Sequence, residues 1–341
     1  VNPKVEIETT EKKKIMVEFT DPNPFKEFHI GHVYSNSVGE SISRLYEAIG
    51  WEVKRADYFG DVGMHVAKSI WGMQKKLHDE GVTLTQISKT PLVDRVHWLG
   101  VAYATGSEAY EADEKAKETM KTINALVYKN APEVSLLYKT GRSWSMEYFE
   151  TVFQRLGTRF DYYYPESIVG EYGAKIVKDH IEDGTFVKSE GAVIFEGEKV
   201  GLHNRVFLNS LGLPTYEAKE LGLNWKKHED YPADVSLIVT GKEINEYFDV
   251  LLAAMKQVIP EVAKKTKHIG HGMVRLPTGK MSSRTGTVVT GESLIDIVKE
   301  EIRIKVIDNI SKSKDSDTTN ANDITEALAI AAIKYCFLRI A

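Results

Sequence analysis

Two short groups of polar residues in this sequence have the types and spacing that phosphate chemistry needs. The first is His29-Ile30-Gly31-His32, which follows an apolar run over residues 14–20 and precedes a helix-like run over 33–49. Imidazoles three positions apart can face one ligand at the start of a helix, where backbone N–H groups favour an anion. A glycine between them lets a nucleotide approach the backbone closely. The group therefore predicts a binding site for a polyphosphate.

The second group is a cationic loop bounded by glycines over residues 279–286. Lys280 and Arg284 can contact phosphate oxygens, and the hydroxyls of Ser282 and Ser283 can donate hydrogen bonds. Alone, such a loop is more often a solvated basic turn. Placed after the first group, it indicates a protein that activates a substrate with ATP, because charge neutralisation and positioning dominate the departure of pyrophosphate.

Other interpretations of the two histidines stay open at this stage. They could be ordinary turn residues, or a metal pair completed by Asp or Glu. A third ligand at a familiar zinc-site spacing is missing. Pro22, Asn23 and Lys26 precede the histidines and follow a strand-like run, and this context favours the phosphate interpretation.

A second copy of the same four letters lies at His268-Ile269-Gly270-His271. Gly272 and Met273 follow it, and no helix-like run begins there. Because a motif is confirmed by its context rather than its letters, we interpret residues 268–275 as a loop and strand that lead to the cationic loop. Backbone groups of Gly272 and Met273 could then reach the edge of an adenine.

The elements around the first group predict a parallel α/β sheet. A strand over 14–20, a helix over 33–49 closed by Gly50, and a strand over 51–58 form a strand–helix–strand unit. Further elements follow from the same patterns: helices over 64–81, 107–118 (charged and solvated), 145–156 and 247–259 (stopped by Pro260), strands over 160–164 and 235–239, and a polar linker over 311–323.

The predicted fold class is α/β, with a doubly wound parallel Rossmann-like sheet, a helical insertion, a small β insertion and a C-terminal helical segment. The predicted catalytic domain has its first half at 1–72, continues at 148–166 and has its second half at 213–290. The helical insertion is predicted at 73–147 and the β insertion at 167–212. A connecting region and linker at 291–323 and the start of a truncated helical domain at 324–341 complete the chain.

Composition bounds the function only broadly. The net charge of -5 gives no overall basic surface for nucleic acid, so any RNA contact must use local patches or parts absent from this chain. Cys336 is the only cysteine, which excludes an intramolecular disulfide and a four-cysteine zinc site and fits a reducing cytoplasm. No apolar run reaches membrane-spanning length, so no membrane association is expected. The protein is also expected to be cytoplasmic and a monomer.

The sequence resembles a class I aminoacyl-tRNA synthetase, and within that class an arginyl-tRNA synthetase. Four patches carry the resemblance in the family's order over most of the chain. They are Glu18 to His32, Gly60 to Gly63, Tyr216 to Glu220, and Gly272 to Arg284. Valine at 62 stands where the family usually has tryptophan, Lys219 where it has arginine, and Glu220 where it has aspartate. Each change keeps charge type or apolarity, so retuned packing rather than lost activity is expected.

The resemblance also explains a departure in the cationic loop. Many class I enzymes have lysine where this chain has Ser283, and the arginine enzymes often place a lysine just before the first signature instead. Lys26 stands at that place, although an exposed loop lysine is the alternative. The resemblance implies catalytic roles for His29, His32, Lys26, Lys280, Ser282, Ser283 and Arg284, and ATP contacts from Pro22, Asn23, Gly31, His271, Gly272, Met273 and Met281.

For the amino acid, the resemblance implies that Glu18, Asn23 and His29 hold the backbone end of L-arginine. Glu220 would pair with the guanidinium, for which carboxylates are the matched acceptors, and Tyr216 would pack over it. Glu18 could instead take an outward position at the edge of its strand, and Glu220 could be a helix-surface residue. Glu243 or Asn245, which follow a core strand, could complete the pocket.

The implied reaction is ATP-dependent formation of arginyl-adenylate, then transfer to the 3′-terminal adenosine of tRNA(Arg). Mg²⁺ is expected with the ATP, no zinc is expected, and L-arginine and tRNA(Arg) are the expected partners. Alternatives are a class I synthetase of another specificity, a non-catalytic synthetase-like module that binds tRNA, and a small-molecule nucleotidyltransferase. Cysteinyl enzymes usually hold zinc partly with cysteines, which this chain lacks.

Overall fold

The computed structural model describes residues 12–273, 290–312 and 321–341, except the side chains of 306–312. Its strands are β1 Lys14–Glu18, β2 Glu52–Phe59, β3 Tyr162–Pro165, β4 Phe186–Ser189, β5 Ala192–Phe195, β6 Arg205–Leu208, β7 Val235–Gly241 and β8 Thr266–His271. Its helices are α1 Ile30–Ala48, α2 Met64–Asp79, α3 Leu84–Ile87, α4 Leu92–Ala112, α5 Glu114–Tyr128, α6 Pro132–Leu156, α7 Glu166–Asp179, α8 Tyr216–Asp230, α9 Asn245–Val258, α10 Pro260–Lys265, α11 Gly291–Lys312 and α12 Ala321–Leu338.

The described chain divides into two compact units. The first, here called the sheet unit, comprises the described residues up to Asp21, Gly39–Gly60 and Phe160–Gly272. The second, the helical unit, comprises Pro22–Val38, Asp61–Arg159 and the described residues from Met273 onward.

The sheet unit is built on five parallel strands in the order β3-β2-β1-β7-β8. The crossovers between sequential strands are helical, as parallel pairing requires. A separate antiparallel sheet, β4-β5-β6, contributes its buried Phe186, Phe195 and Phe207 to a core cluster that also includes Phe248 of α9. The predicted parallel α/β fold class is confirmed.

The helical unit packs α2, α4, α5 and α6 around a buried apolar cluster that includes Ile70, Leu99, Met120 and Trp144. Apolar residues at helical spacing supply the stripes that these helices bury against one another. The predicted boundaries of segments 73–147 and 291–323 remain predictions.

Several elements differ from expectation, for local reasons. The helix after the first signature begins at Ile30 rather than residue 33, and strand β1 ends at Glu18 because Thr20 and Asp21 adopt left-handed backbone angles, φ 86° and 52°. A continuous helix over 107–118 is wrong: Asp113 ends α4 and caps α5 by accepting hydrogen bonds from the backbone of Lys115 and Ala116.

Two further corrections concern prolines and polar runs. Pro260 follows the end of α9, as expected, but also opens α10 at a first-turn position where its missing N–H costs nothing. The linker expected over 311–323 is wrong at both ends, because α11 extends to Lys312 and α12 begins at Ala321. Gly50 closes α1 with φ 89°, as predicted.

Candidate active site

The first signature lies at the start of α1 in the helical unit, with its two imidazoles stacked. The ring centroids of His29 and His32 are 3.6 Å apart and the rings are inclined by 15°. The backbone N–H of His29 donates to Nδ1 of His32 at 3.1 Å, so the neutral His32 carries its proton on Nε2. A Cβ at Gly31 would lie 3.0 Å from Nδ1 of His29, so this glycine also makes room for the folded ring.

A cavity of about 200 Å³ opens beside the stacked histidines. The first signature and the residues before it form one wall, and one face of α4 forms the other, with positions spaced as i, i+3, i+4 and i+7. The lining residues are Asn23, Lys26, Glu27, His29 and His32 on the first wall, and His97, Gly100, Val101, Tyr103 and Ala104 on the second.

Burial keeps both signature histidines neutral. Desolvation, followed by the charge of Lys26, lowers the pKa of His29 to about 4. For His32, burial and then the neighbouring His29 and Lys26 hold the pKa well below its usual value. Among the described residues that line the cavity, Lys26 is therefore the one permanent cation. An anion entering here would meet one ammonium group and neutral imidazole N–H donors.

The backbone of the first signature is also tied to the start of α11. His29 and Thr290 form an isolated antiparallel bridge, and the N–H of Gly291 donates to the carbonyl of Phe28 at 2.6 Å. A Cβ at Gly291 would lie 2.6 Å from Val33 Cγ2, so only glycine fits this approach. The predicted site residues of the cationic loop, Lys280, Met281, Ser282, Ser283 and Arg284, lie outside the described residues.

In the sheet unit, the predicted carboxylates are buried. Glu18 ends β1, which lies between β2 and β7, and is 1% exposed, so the alternative of an outward position is wrong. Glu220 on α8 is 8% exposed, so the helix-surface alternative is wrong too. Lys227, seven residues further along α8, forms a buried ion pair with Oε2 of Glu18.

These carboxylates belong to a larger acidic cluster. Burial, and then the charge of Glu18, raises the pKa of Glu220 well above its usual value. Asp21 behaves in the same way, with burial as the main cause and Glu18 and Asp57 adding to it. Two buried lysines lie in this cluster, and one of them, Lys227, lowers the pKa of both Glu220 and Asp21 without offsetting the effect of burial.

The second of these lysines is Lys219, which donates to Oε2 of Glu166 at 2.6 Å. The hydroxyl of Tyr58 donates to the other oxygen of Glu166 at 3.2 Å. Tyr216, the first residue of α8, is 65% exposed, and its ring centroid lies 5.3 Å from Nζ of Lys219. The backbone carbonyl of Tyr216 accepts a hydrogen bond from the hydroxyl of Tyr247 at 3.0 Å.

Helices α7 and α8 are held at backbone contact by glycines. A Cβ at Gly222 would lie 2.0 Å from the carbonyl oxygen of Val169, and one at Gly173 would lie 1.7 Å from that of Ala218. This approach places Glu166 of α7 beside Lys219 of α8, and it sets the position of Glu220 as well.

The second copy of the four-letter motif lies on β8. His268 stacks on Phe248 at 3.8 Å and shares a 2.7 Å hydrogen bond with Thr240. Burial lowers its pKa to about 4. Nδ1 of His271 donates to the carbonyl of Gly272 at 2.7 Å, and Met273 is half-exposed. Glu243 and Asn245, after β7, are both exposed.

The structure thus groups the predicted residues in two places. Pro22, Asn23, Lys26, His29, Gly31 and His32 lie in the helical unit, and Glu18, Tyr216, Glu220, His271 and Gly272 lie in the sheet unit. Sequence reasoning missed Glu27, His97 and Tyr103 in the cavity, and Glu166 and Lys227 in the acidic cluster. Only Lys227 had a local signal, since its seven-residue spacing from Glu220 puts both on one face of α8.

The described part of the chain lacks a metal-binding cluster and a membrane-spanning helix. No group of three or more His, Cys, Asp or Glu residues there is placed to hold a metal ion. Likewise, none of the helices in those residues is long and apolar enough to cross a membrane.

Comparison with known proteins places this fold and these signatures in a family. The family model for the catalytic domain of class I (R) tRNA synthetases matches residues 1–340, and the chain belongs to this family. Its curated relatives include arginine–tRNA ligases. That of Amoebophilus asiaticus is 31% identical over 347 residues, and that of Treponema denticola is 32% identical over 335 residues. The resemblance drawn from the sequence is confirmed.

These alignments cover 96% of this chain but only 57% and 55% of the two relatives, so the chain spans little more than half their length. Solved structures share the fold. The arginyl-tRNA synthetase of Thermus thermophilus superposes with a TM-score of 0.73 at 20% identity, over 96% of this chain and 58% of that one. The Plasmodium falciparum enzyme gives 0.72 at 18% identity, over 95% and 52%.

Proposed function

We propose that this chain carries the site that activates L-arginine with MgATP and transfers it to the 3′-terminal adenosine of tRNA(Arg). One observation carries the choice of amino acid. Glu18 and Glu220 are buried, and each keeps one carboxylate oxygen without a hydrogen-bond partner among the described residues. Since a buried unpaired acceptor is costly, a cationic ligand with several N–H donors would be strongly favoured there.

Arginine fits this requirement better than lysine does. A planar guanidinium can give paired hydrogen bonds to a carboxylate, whereas an ammonium leaves part of that geometry unused. In the proposal, Glu220 binds the guanidinium beneath Tyr216, and Glu18 binds the α-amino group. An amino acid with a neutral side chain would still offer its α-amino group to Glu18, but it would leave the Glu220 carboxylate without a cationic partner, which is a source of discrimination.

In the first step, a carboxylate oxygen of arginine attacks the α-phosphorus of ATP. The bond to the bridging oxygen breaks, and pyrophosphate leaves with the electron pair. Lys26 would offset charge on the departing phosphates, and the neutral His29 and His32 would donate hydrogen bonds to phosphate oxygens. Mg²⁺ enters as part of the ATP substrate. The roles of Lys280, Ser282, Ser283 and Arg284 on the same phosphates remain predictions.

The second step moves the arginyl group to tRNA. The 2′-hydroxyl of the terminal adenosine attacks the arginyl carbonyl, its proton is lost, and AMP leaves. Because the chain spans little more than half of its relatives, tRNA contacts beyond the terminal adenosine belong to the remainder of such proteins in this proposal.

Pyrophosphate exchange into ATP, measured with each amino acid and total tRNA, tests the proposal. We expect exchange only with arginine, and losses of at least about 100-fold in His29→Ala and Glu220→Gln, the scale of losing a key electrostatic contact. Matched controls are His78→Ala, whose side chain is 90% exposed, and Glu229→Gln, which is exposed on the same helix as Glu220.

Three results would overturn the proposal in different ways. Exchange with an amino acid other than arginine would show that arginine is not the specific substrate. ATP binding without any exchange would favour a non-catalytic module. Unchanged exchange in His29→Ala would remove the signature from the mechanism.

A further inference from the structure

The cavity beside the first signature contains a contact that the synthetase resemblance does not assign. Nζ of Lys26 lies 5.2 Å from the centroid of the Tyr103 ring. Both residues line the cavity with His29 and His32, and Tyr103 is 8% exposed. This distance is within the range over which an ammonium is attracted to an aromatic face.

The Tyr103 ring is carried by a helix whose position is closely set. A Cβ at Gly72 of α2 would lie 1.9 Å from the carbonyl oxygen of Ala102, and one at Gly106 would lie 2.0 Å from that of Lys68. Helices α2 and α4 are therefore in backbone contact just before Tyr103 and one turn after it. Such contacts leave the helix little freedom to slide or rotate.

The type of group beside Lys26 determines how much of the ammonium charge is available to a ligand. A carboxylate beside Lys26 would neutralise it, whereas an aromatic face attracts an ammonium without cancelling its charge. Glu27, the other charged residue of the cavity, lies against α4, where a Cβ at Gly100 would be 3.2 Å from its Oε1.

We propose that Tyr103 is a positioning residue, whose ring holds the Lys26 ammonium in the cavity with its charge intact for an incoming phosphate group. This inference rests on the proposed function, because Lys26 acts there on the departing phosphates. The predicted helical insertion would then contribute to phosphate binding, because Tyr103 lies on α4.

The test is a graded series at position 103. Tyr103→Phe keeps the ring, and successive fluorination of that phenylalanine weakens its attraction for a cation while nearly preserving its shape. The KM for ATP in arginine-dependent exchange should stay near the unmodified value in Tyr103→Phe and rise with each fluorine. In Tyr103→Leu it should rise about 2- to 30-fold, the range for a cation–π contact of this kind.

A matched control lies on the same helix. Nζ of Lys68 lies 4.0 Å from the centroid of Tyr110, and Tyr110 does not line the cavity. Tyr110→Leu removes an equivalent contact and should leave the KM for ATP unchanged. In a Lys26→Met background, Tyr103→Leu should have no further effect on that KM.

The outcomes separate the two proposals. A chain that gives no arginine-dependent exchange would refute the proposed function, and the positioning role with it. Normal exchange with a flat fluorination series, or an equal effect of Tyr103→Leu with and without Lys26, would refute the positioning alone.

Discussion

His29 and Thr290 face each other as an isolated antiparallel bridge, so a signature residue near one end of the sequence is joined to the residue that precedes α11. Gly291 reinforces the pairing with a 2.6 Å hydrogen bond to the carbonyl of Phe28. In the sequence, Thr290 lies only six positions after Arg284 of the cationic loop. The backbone of the first signature is therefore joined to the residues at the start of α11.

Gly291→Ala should disturb this connection. The added Cβ would be 2.6 Å from Val33 Cγ2 and 2.9 Å from the ring of Phe28, so something must shift. We expect the free energy of unfolding to fall by about 1–3 kcal/mol, as overpacking usually causes, and the KM for ATP to rise. Urea denaturation and exchange kinetics measure the two effects. Adding Val33→Ala should restore part of both, and a neutral Gly291→Ala would refute the close approach.

Glu220→Gln should stabilise the protein at neutral pH while it abolishes arginine activation. The folded-state pKa of Glu220 lies above its unfolded value near 4.5. The protonated carboxyl therefore contributes its full stability below pH 4.5, the unfolded pKa, and this stability is lost as the pH rises through the folded pKa. Glutamine avoids the loss.

We expect no difference in melting temperature between Glu220→Gln and the unmodified protein at pH 4, and a growing advantage for the variant above pH 4.5. At pH 7.5 the gain should be at least about 1 kcal/mol, or roughly 2 °C for a chain of this size. Scanning calorimetry across pH would check it, with Glu229→Gln as the exposed control. A constant offset at every pH would contradict the buried carboxyl.

We expect His29 to make the protein less stable in mild acid. The pKa of His29 falls from 6.5 in the unfolded chain to about 4 when folded. The unfolded state therefore binds protons first, and the stability present above pH 6.5 is lost progressively as pH falls towards 4. His29→Gln should reduce the dependence of the free energy of unfolding on pH between pH 7 and pH 4.5, measured by denaturation at each pH, with the exposed His78→Gln as the control.

Gly222→Ala tests whether the packing of α7 against α8 determines the position of Glu220 in the acidic cluster. The new Cβ would lie 2.0 Å from the carbonyl of Val169, which would push α8 away from α7. Glu220 would move with α8 while its chemistry stayed unchanged. We expect the KM for arginine to rise about tenfold or more, since small displacements in a binding site are costly. Glu229→Ala, on the exposed side of α8, is the control; an unchanged KM would show that α8 is not held by this contact.

Arg155→Lys should loosen α12. The guanidinium of Arg155 binds both oxygens of Glu326 at 2.8 and 3.3 Å, and Asp296 at 2.6 Å, so it connects α6 with α11 and α12. Lysine keeps the charge but cannot make this forked contact. Amide hydrogen exchange in residues 321–338 should quicken about fivefold or more, for a loss near 1 kcal/mol. The exposed pair Arg303–Glu300 allows Arg303→Lys as a control, for which no change is expected.

Local patterns were a good guide where local interactions decide the structure. The strand–helix–strand opening was predicted correctly, because alternation, capping glycines and helix starts depend on a few consecutive residues. The same logic should have found the break at Asp113, whose side chain caps α5 within three residues. The charges over 107–118 are typical of one continuous solvated helix, and this pattern hides the capping signal of Asp113.

Burial of the carboxylates required the fold. Glu220 sits in a polar, charged stretch and looks like a surface residue, yet α8 turns it inward beside Glu18 and Lys227. The spacing on α8 was available in the sequence, but which face meets β1 depends on how α7 and α8 approach at their glycines.

The sequence by itself determined the parallel α/β class, the place of the first signature between a strand and a helix, and the family, since each depends on neighbours in the chain or on ordered motifs. Only the tertiary structure decided that Tyr103 meets Lys26, that Thr290 pairs with His29, and that Glu18 and Glu220 are buried. Those relationships join residues far apart in sequence, and long-range packing leaves no periodic trace in the order of amino acids.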